Sequence, residues 1–334
     1  METELNKSEA AEYGEVWKNV ISIAFRIIVG ACVLYFVISL VQWKNVIIAY
    51  QSADGRFIIF AALLLFVNIG VRTFKWHAML RTVKDAPTYT EAFGSVMLGI
   101  SLGSFTPGEV GEFAGRALHI TDAKRSHLVG LTLLDKAQIF IVTSCAGLVS
   151  LASLAFDNPL IIAIVTIAIV LLSVFFITRL GVLAALGHRL NSTLFKKSWL
   201  TRVLDGFNLL KPQQLFAAVL YTLIFYGVLI LQMYCLINSF SKISLLHAFI
   251  GTSAMMFVKS LLPISIGDLG IREAGSIFFF STYSISQAAA LNASLLLFLI
   301  NVFIPSIIGT YFIRHQQLSP FKLVQFWKKK TTSQ

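Results

Sequence analysis

Long runs of apolar residues, separated by shorter polar stretches, form most of this chain. Five runs stand out, at residues 20–42, 57–71, 160–178, 213–237 and 288–313, and a further apolar helix is expected over 127–154. The hydrocarbon core of a bilayer is about 30 Å thick and takes ~20 helical residues to cross, which most of these segments supply. No run shows the alternating pattern of a membrane barrel. The pattern therefore predicts an all-α polytopic membrane protein with about six transmembrane helices.

The composition supports the same fold class. Hydrophobic residues make up 57% of the 334 residues, charged residues only 13%, and the mean hydropathy is +0.78. These values exceed what the surface of a soluble domain can accommodate. The polar segment 1–19 has neither a basic region nor a small-residue cleavage site, so we expect no signal peptide. Cys32, Cys145 and Cys235 lie in apolar runs without metal-ligand spacing, and no metal or cofactor is expected.

A polar motif interrupts the apolar pattern twice. Residues 104–118 read SFTPGEVGEFAGRAL and residues 260–274 read SLLPISIGDLGIREA, with a shared spacing at an offset of 156 residues. The matched positions are Ser104 and Ser260, Pro107 and Pro263, Gly111 and Gly267, Glu112 and Asp268, and Arg116 and Arg272. The repeat predicts two related membrane halves, 20–178 and 213–313, joined by a basic amphipathic connector at 179–212.

Each motif combines helix-breaking and flexible residues at a depth where the chain should be helical. Proline removes a backbone hydrogen bond and glycine permits a tight turn, so each copy is expected to form one helical arm, a break and a second arm. Broken backbone within a bilayer is tolerated where it is buried or lines a cavity. We therefore expect two re-entrant helical hairpins, at 93–118 and 248–282. The N–H groups at the start of each second arm are expected to face the cavity and offer an anion site.

The basic residues indicate how the chain is oriented. They concentrate at 72–84, 179–211 and 314–330 and are sparse in the intervening loops. The positive-inside rule predicts that these segments, and with them both termini, lie in the cytoplasm. We expect the protein to be a multi-pass protein of the cell's inner membrane. Three membrane-spanning helices are expected between the two motifs. Because this number is odd, the second hairpin would enter the membrane from the side opposite to the first, and the two halves would form an inverted repeat. This distribution accounts for the net charge of +11, so nucleic acid is not expected as a partner.

Charged residues within the motifs are the first candidates for substrate binding. Glu112 and Arg116 are four residues apart, as are Asp268 and Arg272. This spacing places each acid and arginine on one helix face, where the two side chains can pair. Each pair is either a structural lock for the hairpin arms or part of a site for an anionic headgroup.

Four other charged residues are candidates of the same kind. Asp135 and Lys136 lie about 13 Å into the helix expected at 127–154, where an unpaired charge costs several kcal/mol. Two alternatives explain charged side chains at this depth: they pair with each other or with the hairpin inside the protein, or they contact a substrate headgroup. Glu109 and Lys259 have no counterpart in the other copy of the motif, so they are candidates for what distinguishes the two hairpins. For Glu109, a solvated loop position is the alternative.

The two motifs, together with RTFKWHAML at 72–80, resemble the lysylphosphatidylglycerol synthase transmembrane-region family, also called the flippase-like domain family. The resemblance covers residues 20–314, and the charged positions of the family's motifs fall on Glu112, Arg116, Arg272 and Glu273. Its helix-breaking positions fall on Pro107, Gly108, Gly111, Pro263, Ser265, Gly267 and Gly270. One departure is the pair Asp135–Lys136, where the family often has an acid and an arginine; lysine lacks the bidentate fork of arginine.

Within RTFKWHAML, Arg72, Lys75 and Trp76 suggest an interfacial belt. The alternative is that these side chains hold a phosphate headgroup at the entrance of a cavity. Members of the family are thought to move lipids or lipid-linked groups between leaflets.

The resemblance implies a membrane lipid translocase. We expect the headgroup to cross through a cavity between the two re-entrant hairpins, where Arg116 and Arg272 bind its charge. The substrate would be an anionic phospholipid, a polyprenyl-phosphate-linked lipid or a glycosylated lipid. We expect no enzyme activity, because the 21 residues after 313 are too few for an aminoacyltransferase and no nucleotide-binding or nucleophile motif is present. Two alternatives remain, namely a secondary transporter of a small solute and a non-catalytic partner of a glycosyltransferase or lipid synthase. A lipid-modifying enzyme and a second copy of the chain are the protein partners considered.

Overall fold

The structure is a computed structural model that describes residues 43–104, 106–195, 201, 209–262 and 268–315. Several predicted features lie outside these residues: the first span at 20–42, the segment 1–19, most of the tail 314–334 and part of the connector 179–212. Three predicted break residues, Pro263, Ser265 and Gly267, also lie outside them.

The described residues form helices and contain no strand. The helices are α1 (Trp43–Gln51), α2 (Gly55–Leu80), α3 (Tyr89–Ser104), α4 (Gly111–His119), α5 (Arg125–Ala155), α6 (Pro159–Thr178), α7 (Leu180–Leu190), α8 (Pro212–Asn238), α9 (Leu245–Leu261), α10 (Ile271–Ser281), α11 (Gln287–Phe298) and α12 (Ile304–His315). A 3-10 turn, Pro107–Glu109, lies between α3 and α4. Two π-helical turns, Asn191–Phe195 and Leu299–Phe303, follow α7 and α11.

Five helical segments in the described part are long and apolar enough to cross a bilayer. They are Gly55–Leu80, Arg125–Ala155, Pro159–Phe176, Pro212–Asn238 and Gln287–Phe312, the last of which joins α11 to most of α12. They coincide with the spans predicted at 57–71, 127–154, 160–178, 213–237 and 288–313. The all-α polytopic membrane fold is thereby confirmed.

Polar residues fix where several of these helices begin. Asp54 caps α2, and Asn158 caps α6, whose first residue is Pro159. Ser244 and Ser286 cap α9 and α11 in the same way, each accepting a hydrogen bond from a backbone N–H of the first turn. Such caps satisfy backbone donors that have no partner within their own helix.

Helix α2 continues well beyond the apolar run that predicted it. The run at 57–71 becomes Gly55–Leu80, and the added turns bury Lys75, Trp76 and Met79. The prediction of an interfacial belt is therefore wrong for Lys75 and Trp76, because the helix carries their side chains into the protein interior. The short helix α1, which the apolar pattern did not predict, packs against α11.

Each repeated motif folds as a helical hairpin. Helix α3 packs along α4, and α9 packs along α10. The four arms contain 16, 9, 17 and 11 residues, fewer than the ~20 that a full span takes. Below, α3 and α4 are called the first hairpin, and α9 and α10 the second hairpin. Their re-entrant placement and inverted orientation in a bilayer stay predictions.

The two halves of the chain pack with exchanged partners. The helices that precede the hairpins, α2 and α8, lie against each other. Helix α5, which follows the first hairpin, packs against α9 of the second, and α12, in the span after the second hairpin, packs against α3 of the first. Each hairpin is thus held partly by the other half. Two repeats related by a two-fold axis produce this kind of exchange.

The break in the first hairpin requires glycine at two positions. Gly108 has a φ of 60°, a conformation that residues with a Cβ seldom adopt. At Gly111, a Cβ would lie 2.1 Å from the carbonyl oxygen of Leu102. The tight turn and close backbone approach expected from the motif are both present here.

Close contact between the halves predicts the effect of enlarging Gly147 on α5. An added Cβ would lie 2.2 Å from Cβ of Phe257 on α9. We expect Gly147→Ala to lower the free energy of unfolding by about 1–3 kcal/mol, as measured by denaturant titration in detergent micelles. Gly227→Ala on α8 is the matched control, because nothing lies within 4 Å of its added Cβ. Equal stability of the two variants would contradict the close packing of α5 and α9.

Candidate functional site

Seven charged side chains from α2, the first hairpin and α5 meet inside the first half. They are Arg72, Lys75, Glu109, Glu112, Arg116, Asp135 and Lys136, and are called the charged cluster below. Each of them makes an ion pair with another member. Four cations face three carboxylates, so the cluster carries one net positive charge when all of its groups are ionised.

Arg116 lies at the centre of the charged cluster and is only 2% exposed. Its Nη2 lies 2.5 Å from Oε1 of Glu112, so the pair expected from the four-residue spacing is present. Its Nη1 lies 2.8 Å from Oδ2 of Asp135 on α5. The guanidinium also lies over the ring of Trp76, 4.6 Å from its centroid. The Trp76 ring is positioned by a 2.9 Å hydrogen bond from its Nε1 to Oγ of Ser95.

Two cations of α2 complete this side of the cluster. Lys75 is buried; its Nζ pairs with Oδ1 of Asp135 and donates a 2.7 Å hydrogen bond to Oγ1 of Thr222 on α8. Nη2 of Arg72 lies 3.1 Å from Oε1 of Glu112. Sequence patterns pointed to the two cations through their spacing beside Trp76, but nothing in them pointed to Thr222. Its role follows from the packing of α8 against α2.

Lys136 joins α5 to the first hairpin. Its Nζ pairs with Oε2 of Glu109 and with Oε2 of Glu112. Asp135 and Lys136 are thus both paired, but with partners on different elements. Glu109 is therefore not only a loop residue, since its carboxylate takes part in the charged cluster.

The second hairpin pairs its charges differently from the expectation. Asp268 pairs with Lys259 at 2.7 Å, and Nη2 of Arg272 lies 2.6 Å from Oε1 of the adjacent Glu273. The predicted Asp268–Arg272 pair is therefore wrong. The four-residue rule requires a continuous helix, whereas Asp268 precedes α10 and is separated from it by Gly270, with a φ of 90°.

The starts of the second arms are satisfied from within each hairpin. The N–H of Gly111 donates a 2.6 Å hydrogen bond to Oγ1 of Thr106, and the N–H of Gly270 donates one of 2.6 Å to Oε2 of Glu273. These two N–H groups therefore do not face a cavity as predicted.

A small cavity opens beside the charged cluster, between α2 and α5 of the first half and α8 of the second. Its walls are formed by Val71, Arg72, Lys75, Asp135, Ile139, Tyr221, Thr222 and Phe225. Of the charged residues predicted to bind substrate, Asp135 lines this cavity, as do Arg72 and Lys75, the alternative phosphate ligands. No residue of either hairpin lines it, so this cavity does not lie between the hairpins as predicted. Within the part of the chain that the structure describes, no group of three or more His, Cys, Asp or Glu side chains could hold a metal ion.

Replacing Arg116 should destabilise the protein, because the change leaves Asp135 and Glu112 buried with fewer positive charges. We expect Arg116→Gln to lower the free energy of unfolding by about 3–5 kcal/mol, the usual cost of breaking a buried ion pair. Denaturant titration in micelles measures the change. Arg56→Gln is the control, since the Arg56 side chain is 90% exposed and pairs only at the start of α2. An Arg116→Gln variant as stable as the control would exclude a structural role for the pairs.

Comparisons with known proteins cover both hairpins and the charged cluster. The family model described as lysylphosphatidylglycerol synthase TM region matches residues 23–309. The chain is also similar to the UPF0104 membrane protein PH1989 of Pyrococcus horikoshii, with 22% identity over 317 residues, which cover 85% of this chain and 94% of that protein. Because the family model covers most of its length, the chain belongs to the lysylphosphatidylglycerol synthase transmembrane-region family.

Proposed function

We propose that the protein is a lipid translocase, which moves an anionic headgroup between leaflets while the acyl chains stay in the bilayer. The observation that carries this proposal is the charged cluster, with its single net positive charge, at a cavity between the two halves. An unbalanced charge at membrane depth is costly, so the cluster favours a ligand with one negative charge. The phosphodiester of a lipid headgroup has that charge.

Arg72 and Lys75 are the groups that would meet the phosphate first. Both line the cavity, and the Arg72 side chain is 17% exposed, whereas that of Arg116 is 2% exposed. Among the described residues, Arg72 makes one ion pair, to Glu112, and its planar guanidinium suits a phosphate. Arg116 would act behind them by holding Glu112 and Asp135. Arg272, which is bound to Glu273, is better suited to keeping the second hairpin in shape.

Exchange of ion-pair partners offers a mechanism for coupling the headgroup to the two halves. In the structure, Glu112 pairs with Arg72, and Asp135 pairs with Lys75. A phosphate bound by Arg72 and Lys75 would compete with both carboxylates. Because Lys75 also bonds to Thr222 of the second half, such competition would change the contact between α2 and α8. Rocking of the halves about this contact would then alternate access to the two leaflets.

The proposal includes an orientation and excludes covalent chemistry. We propose that both termini lie in the cytoplasm and that the protein lies in the inner membrane; positive-inside bias supports the first part. Arg81 and Lys84 follow the last residue of α2, Leu80. In this orientation they would lie on the cytoplasmic side. Headgroup transfer requires no bond to form or break, so no enzyme activity is part of the proposal.

Substitution of Arg72 tests the proposal with little risk to folding. Arg72→Gln leaves Glu112 paired with Arg116 and Lys136. We expect it to slow transfer of a labelled anionic phospholipid in proteoliposomes by about ten- to a hundredfold, the value of a charge-assisted hydrogen bond. Arg56→Gln, an exposed arginine of the same helix, should transfer lipid at the wild-type rate.

Transfer by Arg72→Gln at the wild-type rate would overturn the role given to this residue. Wild-type protein that moves no lipid but accumulates a soluble phosphorylated solute would favour a secondary transporter instead. A third outcome is that cells without the protein still transfer lipid between leaflets at the normal rate and lose only a modified lipid. That result would favour a partner of a lipid-modifying enzyme.

A further inference from the structure

The helices that follow the two hairpins correspond to each other at an offset of 162 residues. Helix α5 begins at Arg125, and α11 begins at Gln287. This offset exceeds the 156 residues between the motifs, because α10 extends further along the chain than α4 does. At the offset of 162, residues 144–147 read SCAG and residues 306–309 read SIIG. Each of the two helical segments therefore carries a serine and, three residues later, a glycine at equivalent positions.

The two glycines make the same contact with the opposite half. A Cβ added to Gly147 on α5 would lie 2.2 Å from Cβ of Phe257 on α9, and one added to Gly309 on α12 would lie 2.6 Å from Cβ of Ser101 on α3. In both cases the backbone oxygen of the residue four positions earlier lies 3.0 Å or less from the added Cβ. Phe257 and Ser101 are themselves equivalent, at the motif offset of 156 residues. Below, the contact of α5 with α9 is called the first joint, and that of α12 with α3 the second joint.

The serine pairs at the two joints are bonded differently. In the second joint, Oγ of Ser306 donates a 2.9 Å hydrogen bond to Oγ of Ser104. The equivalent residues of the first joint are Ser144 and Ser260. Oγ of Ser144 is buried and has no hydrogen-bond partner among the described residues, and Oγ of Ser260 donates to the backbone oxygen of Met256 in its own helix. The second joint is therefore closed by a hydrogen bond, and the first joint is open.

The same residue types are present in both joints, so the identity of the serines does not explain the difference. The shape of the helices does differ. A π turn, Leu299–Phe303, precedes Ser306, whereas the equivalent residues of α5, 137–141, are α-helical. A buried hydroxyl without a partner is rare, above all where the surroundings are lipid and protein. Ser260 still has a lone pair for Ser144, because a hydroxyl that donates one hydrogen bond can also accept one.

We propose that the two joints close in alternation. The structure has the second joint closed and the first open; in a second conformation Ser144 bonds to Ser260, and Ser306 separates from Ser104. An inverted repeat permits this exchange, since each half can adopt the arrangement of the other. One hydrogen bond breaks and an equivalent one forms, so the two conformations are similar in free energy. This inference rests on the movement of the halves in the proposed function and identifies the contacts that alternate.

Disulfide trapping in proteoliposomes tests the alternation without any lipid substrate. In a variant whose three native cysteines are replaced by alanine, Ser144→Cys and Ser260→Cys place one thiol on each side of the first joint. Adding Ser306→Ala should speed formation of this disulfide about three- to tenfold, because the conformation with the second joint closed loses one hydrogen bond. Ser153→Ala is the matched control and should leave the rate unchanged, since Oγ of Ser153 bonds to the backbone oxygen of Val149 within α5.

Locking either joint should stop lipid transfer. A second variant carries Ser104→Cys and Ser306→Cys in the same cysteine-free background. We expect oxidation of either cysteine pair to stop transfer of labelled phosphatidylglycerol in proteoliposomes, and reduction to restore it, because transfer requires both joints to exchange. Ser276→Cys with Ala290→Cys is the control, since the Ser276 hydroxyl bonds to the backbone oxygen of Ala290 within the second half. Oxidation of this pair should leave transfer unchanged.

The disulfide rates and the transfer rates fail separately. A first-joint disulfide whose rate ignores Ser306→Ala would overturn the alternation, whether or not the protein moves lipid. A variant with both cysteine pairs that forms two disulfides in one molecule would overturn it as well. Transfer that continues with a joint locked would remove the joints from the mechanism and leave the translocase in place. Wild-type protein that moves no lipid would overturn the proposed function, while the disulfide rates would still decide whether the joints alternate.

Discussion

A charge buried among membrane helices has to be balanced by an opposite charge, and the pairing of Arg116 with Glu112 and Asp135 meets this constraint inside the first half. Other features are arranged around this triad. Trp76 covers the guanidinium, Ser95 positions the Trp76 ring, and Lys136 and Lys75 each bind one of the two carboxylates. The first hairpin is thereby fastened to α2 on one side and to α5 on the other. Its short arms pack through a close approach of α4 to α3 that the small residue Gly111 permits.

The two halves share a hairpin fold but differ in their electrostatics. The first half collects four cations and three carboxylates beside a cavity, whereas Arg272 in the second half is satisfied by Glu273 and Ser294. Asp268 and Lys259 form a separate pair there. Under the proposed function, the first half would bind the anion, and the pairs of the second half would keep its hairpin in shape.

Contacts between the halves give this site a route to conformational change. Lys75 of α2 donates a hydrogen bond to Thr222 of α8. α5 packs directly on α9 at Gly147. A ligand can shift a conformational equilibrium only by binding one state better than the other. In the proposed mechanism the hydrogen bond from Lys75 to Thr222 would supply such a difference, because an anion in the cavity would compete with Asp135 for Lys75.

The sequence by itself determined the membrane fold, the positions of the described spans, the two repeated hairpins and the Glu112–Arg116 pair. These features follow from hydrophobic runs and from short-range spacing, which a chain expresses wherever its helices are continuous. Only the tertiary structure decided the partners of Lys75, Asp135 and Lys136, the burial of Trp76 and the failure of the Asp268–Arg272 pair. Ion pairing between helices depends on which faces pack together. In the second hairpin, the positive φ at Gly270 ends the helical geometry on which the spacing rule depends.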